Sequence, residues 1–64
     1  MKIEDLKVGN MIEDRGDIAK VIYINLNENY IVVEEKYTNF PFAENVLYYR
    51  LFVDELSDWR MKNE

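Results

Sequence analysis

Residues 18–35, IAKVIYIN-LNEN-YIVVEE, constrain the fold more than any other stretch. Two runs rich in β-branched and aromatic side chains flank four residues of turn character. β-branched and aromatic side chains favour strands, and asparagine favours turns. The pair therefore reads as a β-hairpin. In the first run Ala19, Val21 and Tyr23 alternate with Ile18, Lys20, Ile22 and Ile24. Both faces are largely apolar, which fits a strand covered on both sides, or one in a barrel with an outer patch. The second run starts apolar and ends at Glu34-Glu35-Lys36, so its far end leaves the core.

The rest of the chain extends this hairpin. Residues 1–10, MKIEDLKVGN, form a leader that is a helical turn or a packed arm and ends in the turn pair Gly9-Asn10. Residues 11–13 are a short strand. Residues 14–17 (DRGD) are a connector with Gly16 at the position that needs freedom. The letters RGD occur here, and a hairpin turn accounts for them. Residues 38–45 hold the chain's one proline, Pro41, between Phe40 and Phe42. Proline cannot donate to a sheet ladder, so this is a loop or an edge, with the two rings as a lid. Residues 46–53 are a third long strand. Leu47, Tyr49 and Leu51 make its core face, and Tyr48, Arg50 and Phe52 point away. Asp54 or Ser57 is placed to cap a short helical turn carrying Leu56 and Trp59, followed by a frayed tail.

At 64 residues the chain has room for one domain, residues 1–64. Such a chain buries only about 60% of its unfolded surface. It has no cysteine and no histidine. That removes disulfides, thiolate metal sites, cysteine nucleophiles, the usual zinc ligand and the best neutral-pH proton carrier. Stability must come from the aromatic share, 14% of residues, since each ring buries about 150–250 Å². The architecture that limits exposed edges at this length is a small, partly open barrel of about five strands with short terminal helical turns.

Leu6-Lys7-Val8-Gly9-Asn10 followed by Gly16-Asp17-Ile18-Ala19-Lys20-Val21 resembles the opening of SH3-like barrels of the KOW and translation-protein type, over about half the chain. The leader, together with Leu56-Ser57-Asp58-Trp59, is also similar to the two ends of small phage and prophage accessory proteins. The first resemblance implies a fold, the second a source, and neither implies an activity. Nucleic-acid-binding barrels of this shape carry basic loops. Here Glu13, Asp14 and Asp17 occupy the first loop and Glu44 the later one.

The charge balance points the same way. Thirteen acids face eight scattered bases, for a net charge of −5. Nucleic-acid binders normally show a basic stripe, so nucleic acid is not the expected partner. The carboxylates come in pairs (Glu4-Asp5, Glu13-Asp14, Glu34-Glu35, Asp54-Glu55). Adjacent residues on a strand face opposite ways, so Glu34 and Glu35 do not share a site. No pair has calcium-loop spacing. No enzyme activity, metal or cofactor is expected. No apolar run approaches the ~20 residues of a membrane span. Acids stand where a secretory signal would be apolar, and the expectation is a cytoplasmic protein, complete as given.

Nine aromatic residues exceed what so small a core can enclose. Tyrosine and tryptophan are enriched among interface hot spots. The candidate partner-binding set is Phe40, Phe42, Tyr48 and Trp59, with Asp54, Glu55 and Asp58 ringing Trp59. An aromatic anchor among acids suits a basic protein surface. The expected function is thus a small intracellular protein-interaction module, an accessory or inhibitor protein of phage type. The alternatives are a nucleic-acid-binding barrel that stacks bases, and an acidic DNA mimic. Open strand edges also make a homodimer an expectation.

Overall fold

Positive-φ turns fix the first two hairpins of the chain. A computed structural model describes residues 1–39 and 43–62. At Arg15-Gly16 both residues have positive φ (51° and 90°), and Asp14 stands opposite Asp17 across the turn. This is the backbone pattern of a two-residue type I′ loop, whose twist matches that of the strands it joins. At residues 26–29 the side chain of Asn25 accepts a hydrogen bond from the Glu28 N–H (2.9 Å), and Asn29 takes φ 59°. The asparagines of the turn are thus used for their short side chains and their tolerance of left-handed backbone. The leader closes in the same way. Gly9 has φ 99°, and Asn10 Oδ1 accepts from the Lys7 N–H at 2.8 Å.

Five strands result: β1 (Met11–Asp14), β2 (Asp17–Asn25), β3 (Tyr30–Asn39), β4 (Ala43–Phe52) and β5 (Arg60–Met61). They form one antiparallel, unclosed sheet in the order β4-β3-β2-β1-β5. Two 3-10 turns, Ile3–Asp5 and Glu55–Asp58, complete the fold among the described residues. The mainly β, five-stranded expectation with short helical turns is met at that level.

One face of the sheet makes the core. Ile12, Ala19, Val21, Ile31, Val33 and Leu51 project from it. Ile3, Leu6, Leu56 and Trp59, from the leader and the C-terminal turn, cover them. The Met1 ammonium donates to the Leu56 carbonyl at 3.1 Å, tying the two covering segments together. The tail expected to fray instead forms β5. Ile12 stands opposite Met61 and Glu13 opposite Arg60, and Arg60 Nε donates to Glu13 Oε1 at 3.0 Å. This exposed ion pair contributes at most about 1 kcal/mol. The backbone ladder and the burial of Trp59 beside it hold the strand.

Three further expectations are corrected. The 38–45 loop is shorter than expected, because β3 runs to Asn39 and β4 starts at Ala43, opposite one another. Pro41 and the lid of Phe40 and Phe42 lie outside the described residues. Neither Asp54 nor Ser57 caps through its side chain: Asp54 is already helical (φ −61°, ψ −33°), and Ser57 Oγ donates to the Asp54 carbonyl instead. Finally, β2 does not alternate simply. Its register with β3 shifts between Val21 and Tyr23. Ile22 is the extra residue of a bulge. Past it Tyr23 faces outward, and Ile24 packs against the core.

Candidate functional site

The bulge brings aromatic residues from three strands onto the outer face. Tyr23 of β2 pairs with Val32, which pairs with Arg50 of β4. Tyr30 of β3 pairs with both Asn25 and Phe52. Residues opposite one another in a ladder share a face. Tyr23, Tyr30, Val32, Arg50 and Phe52 therefore form one surface, continued along β4 by Tyr48. The Tyr30 ring lies 6.4 Å from that of Tyr23 and 5.6 Å from that of Phe52, both tilted. These are separations at which aromatic pairs attract. The Arg50 guanidinium lies over Tyr30, 5.0 Å from the ring centre, within cation–π range.

Tyr30 is thus buried beneath its neighbours, while Tyr23 (51% exposed), Phe52 (45%) and Tyr48 (57%) stand in solvent. A shallow cleft of about 250 Å³ lies at the Phe52 end, lined by Glu28, Asn29, Phe52, Val53 and Asp54. Acids therefore border the aromatic row where the β2–β3 turn meets the end of β4.

The expected site residues divide. Tyr48 is exposed on this face, as its alternation with Leu47 and Tyr49 implied. Asp54, Glu55 and Asp58 are exposed on and beside the second 3-10 turn. Trp59 is not a surface anchor: it is 8% exposed and belongs to the core. The C-terminal turn lies over the core face of the sheet there, and the Trp59 ring packs with Leu56 in that core. Phe40 and Phe42 lie outside the described residues. Phe52, bordered by Asp54 and Glu28, has the aromatic-among-acids setting expected of Trp59. Sequence reasoning placed Phe52 and Arg50 on the correct face without singling them out. It missed Tyr23 as an outer-face residue, because no residue type in IAKVIYIN marks the bulge.

On the core side, Tyr49 and Glu35 lie towards the end of the sheet near the first hairpin. Burial, with Asp17 second, raises the Glu35 carboxyl above its ordinary value. The Tyr49 phenol is pushed up to about 12 by burial, then by the charges of Glu35, Asp17 and Asp14. The folded state holds this proton more tightly than the unfolded chain does. Stability is therefore lost as pH rises from about 10 through about 12. Alkaline titration followed by tyrosine absorbance should show an ionisation of Tyr49 at about pH 12. Tyr49→Phe should abolish that step, and a high-pH titration unchanged by the substitution would contradict it. Glu34 and Glu35 do face apart: Glu34 stands opposite Lys20 on the outer face.

Among the described residues no cluster of carboxylates could hold a metal ion. Nor is any helix there long and apolar enough to cross a membrane. Compared with known proteins, the chain matches no family model, no curated protein and no solved structure.

Proposed function

We propose that this protein is a small intracellular interaction module of SH3-like barrel type, without chemistry of its own. It docks a protein segment on the outer face formed by Tyr23, Tyr30, Arg50 and Phe52. One observation carries the reading: two exposed rings and an arginine, drawn from two strands, converge on a buried tyrosine on a face that no described element covers. Contiguous exposed apolar surface marks interaction sites, and tyrosine and arginine dominate their energetics. Glu28 and Asp54 at the Phe52 end favour a partner with Lys or Arg reaching that end. The meander order and the 3-10 turn leading into a short last strand paired with the first support the SH3-like reading. The source as a phage or prophage accessory protein rests on the leader and the L-S-D-W segment of the sequence alone.

A nucleic-acid reading has an observation of its own. Arg50 beside exposed rings is the chemistry on which single-stranded bases stack. Titrating isotope-labelled protein separates the two. Short peptides alternating Lys with aromatic residues should move the amide signals of Tyr23, Tyr30, Arg50 and Phe52, and a Tyr23→Ala/Phe52→Ala variant should lose the response while staying folded. Unmoved signals with peptide, and salt-sensitive shifts with oligothymidylate, would replace the protein-docking reading with the stacking one.

A further inference from the structure

The two edges of the sheet are treated differently. At one end lies β5, only two residues long, which is a common way of blunting an edge. At the other lies β4, ten residues long, whose outer edge pairs with no strand among the described residues. Its sequence, AENVLYYRLF, contains no proline and no lysine, the residues that usually guard an edge. Val46, Leu47, Tyr48 and Phe52 are exposed along it. A long edge without proline, lysine or a bulge, whose exposed charges are one acid and one arginine, is a template for another strand that matches those charges.

We propose that the occupant of this edge is β4 of a second copy of the chain, paired antiparallel about a two-fold axis through Leu47. Backbone N–H and C=O groups alternate in direction along a strand. A two-fold antiparallel pair must therefore be centred on a residue and not between residues. The two residues at the middle of Ala43–Phe52 are Leu47 and Tyr48, so these centres give the longest overlap. Centring on Leu47 sets Leu47 against its own copy, Val46 against Tyr48, and Glu44 against Arg50. Centring on Tyr48 sets Glu44 against Phe52 and leaves Arg50 facing Val46. Only the first register matches the charges.

The match occurs twice by symmetry and needs no rearrangement. The β3–β4 register is continuous from Tyr30–Phe52 to Asn39–Ala43. Glu44 and Arg50 therefore lie on the same outer face, and both are exposed. Arg50 keeps its contact over Tyr30, since a guanidinium has donors to spare for a carboxylate. The product is one continuous sheet through both copies. The two aromatic faces become neighbours across Val46 and Tyr48. The inference is independent of what binds that face, because it concerns the protein alone.

Sedimentation equilibrium on the protein alone, up to about millimolar concentration, tests this at the affinities of weak complexes. The expected result is association to twice the 7.8 kDa chain mass. Glu44→Arg should weaken it about tenfold, from two repulsive cross-strand pairs in place of two attractive ones. Adding Arg50→Glu in the same chain should restore most of the loss. Amide exchange should show concentration-dependent protection at every second residue of β4, which also confirms that each variant is folded. A chain that stays monomeric throughout overturns the proposal. So does association that ignores both reversals, or protection confined to some other element.

Discussion

Trp59→Ala is expected to unfold the protein or to leave it barely folded at room temperature. Trp59 is one of ten buried residues that make the core among the described residues, and it follows the C-terminal turn that packs on the sheet. Its N–H donates to the Leu56 carbonyl at 3.1 Å, and β5 follows directly. Emptying such a site costs about 3–5 kcal/mol in transfer and cavity terms. A domain of this size has a total stability of about 3–10 kcal/mol. The loss therefore consumes most of what is available. In thermal unfolding the midpoint should fall by roughly 12–40 °C, at about 4–8 °C per kcal/mol. Tyr48→Ala, on the exposed face, should change stability by no more than about 0.5 kcal/mol. A folded Trp59→Ala protein with native stability would return Trp59 to the list of surface anchors.

The second large effect concerns Gly16. With φ +90° it occupies a region that L-residues rarely adopt. A Cβ there would meet no atom within 4 Å, so any penalty comes from the backbone alone. Gly16→Val should cost about 1–3 kcal/mol, since a β-branched residue tolerates this conformation worst. Urea unfolding is the appropriate measurement, and the midpoint should drop with an unchanged slope. Arg15, at φ 51°, offers the opposite test. Arg15→Asn should stabilise by about 0.5 kcal/mol, because asparagine accepts left-handed backbone more readily. If both variants matched the parent, the turn would not be what holds β1 against β2.

The long strands were legible in the sequence because their signal is local. Apolar alternation in 46–53, the turn residues at 9–10, 15–16 and 26–29, and the charged exit of β3 each depend on a few neighbouring residues. The unread features depend on distant ones. Arg60 and Met61 form a strand only because Glu13 and Ile12 of β1 present a free edge 47 residues and more away. Trp59 could be read as core or as surface until the closing turn was placed. Phe52 in the same way gained its aromatic neighbours from Tyr30 and Tyr23 across the sheet. The candidate site was half legible for this reason. Its β4 members follow from alternation, and its β2 member does not.

The bulge at Ile22 has a consequence for how the protein can vary. In an uninterrupted strand, substitution tolerance alternates with one phase from end to end. In β2 the phase jumps. Ala19 and Val21 are the intolerant positions before the bulge, and Ile24 is the next, three residues on instead of two. Deleting Ile22 would restore a single phase. It would leave Tyr23 outward and Ile24 on the core, because they already stand opposite the consecutive residues Val32 and Ile31. Pairing Ile22 in register, without the bulge, is what would drive the Tyr23 ring inward and turn Ile24 out. Leaving Ile22 unpaired thus decides on which face of the sheet Tyr23 stands. A saturation scan of β2 would detect it as a single missed beat in the pattern of tolerated polar residues.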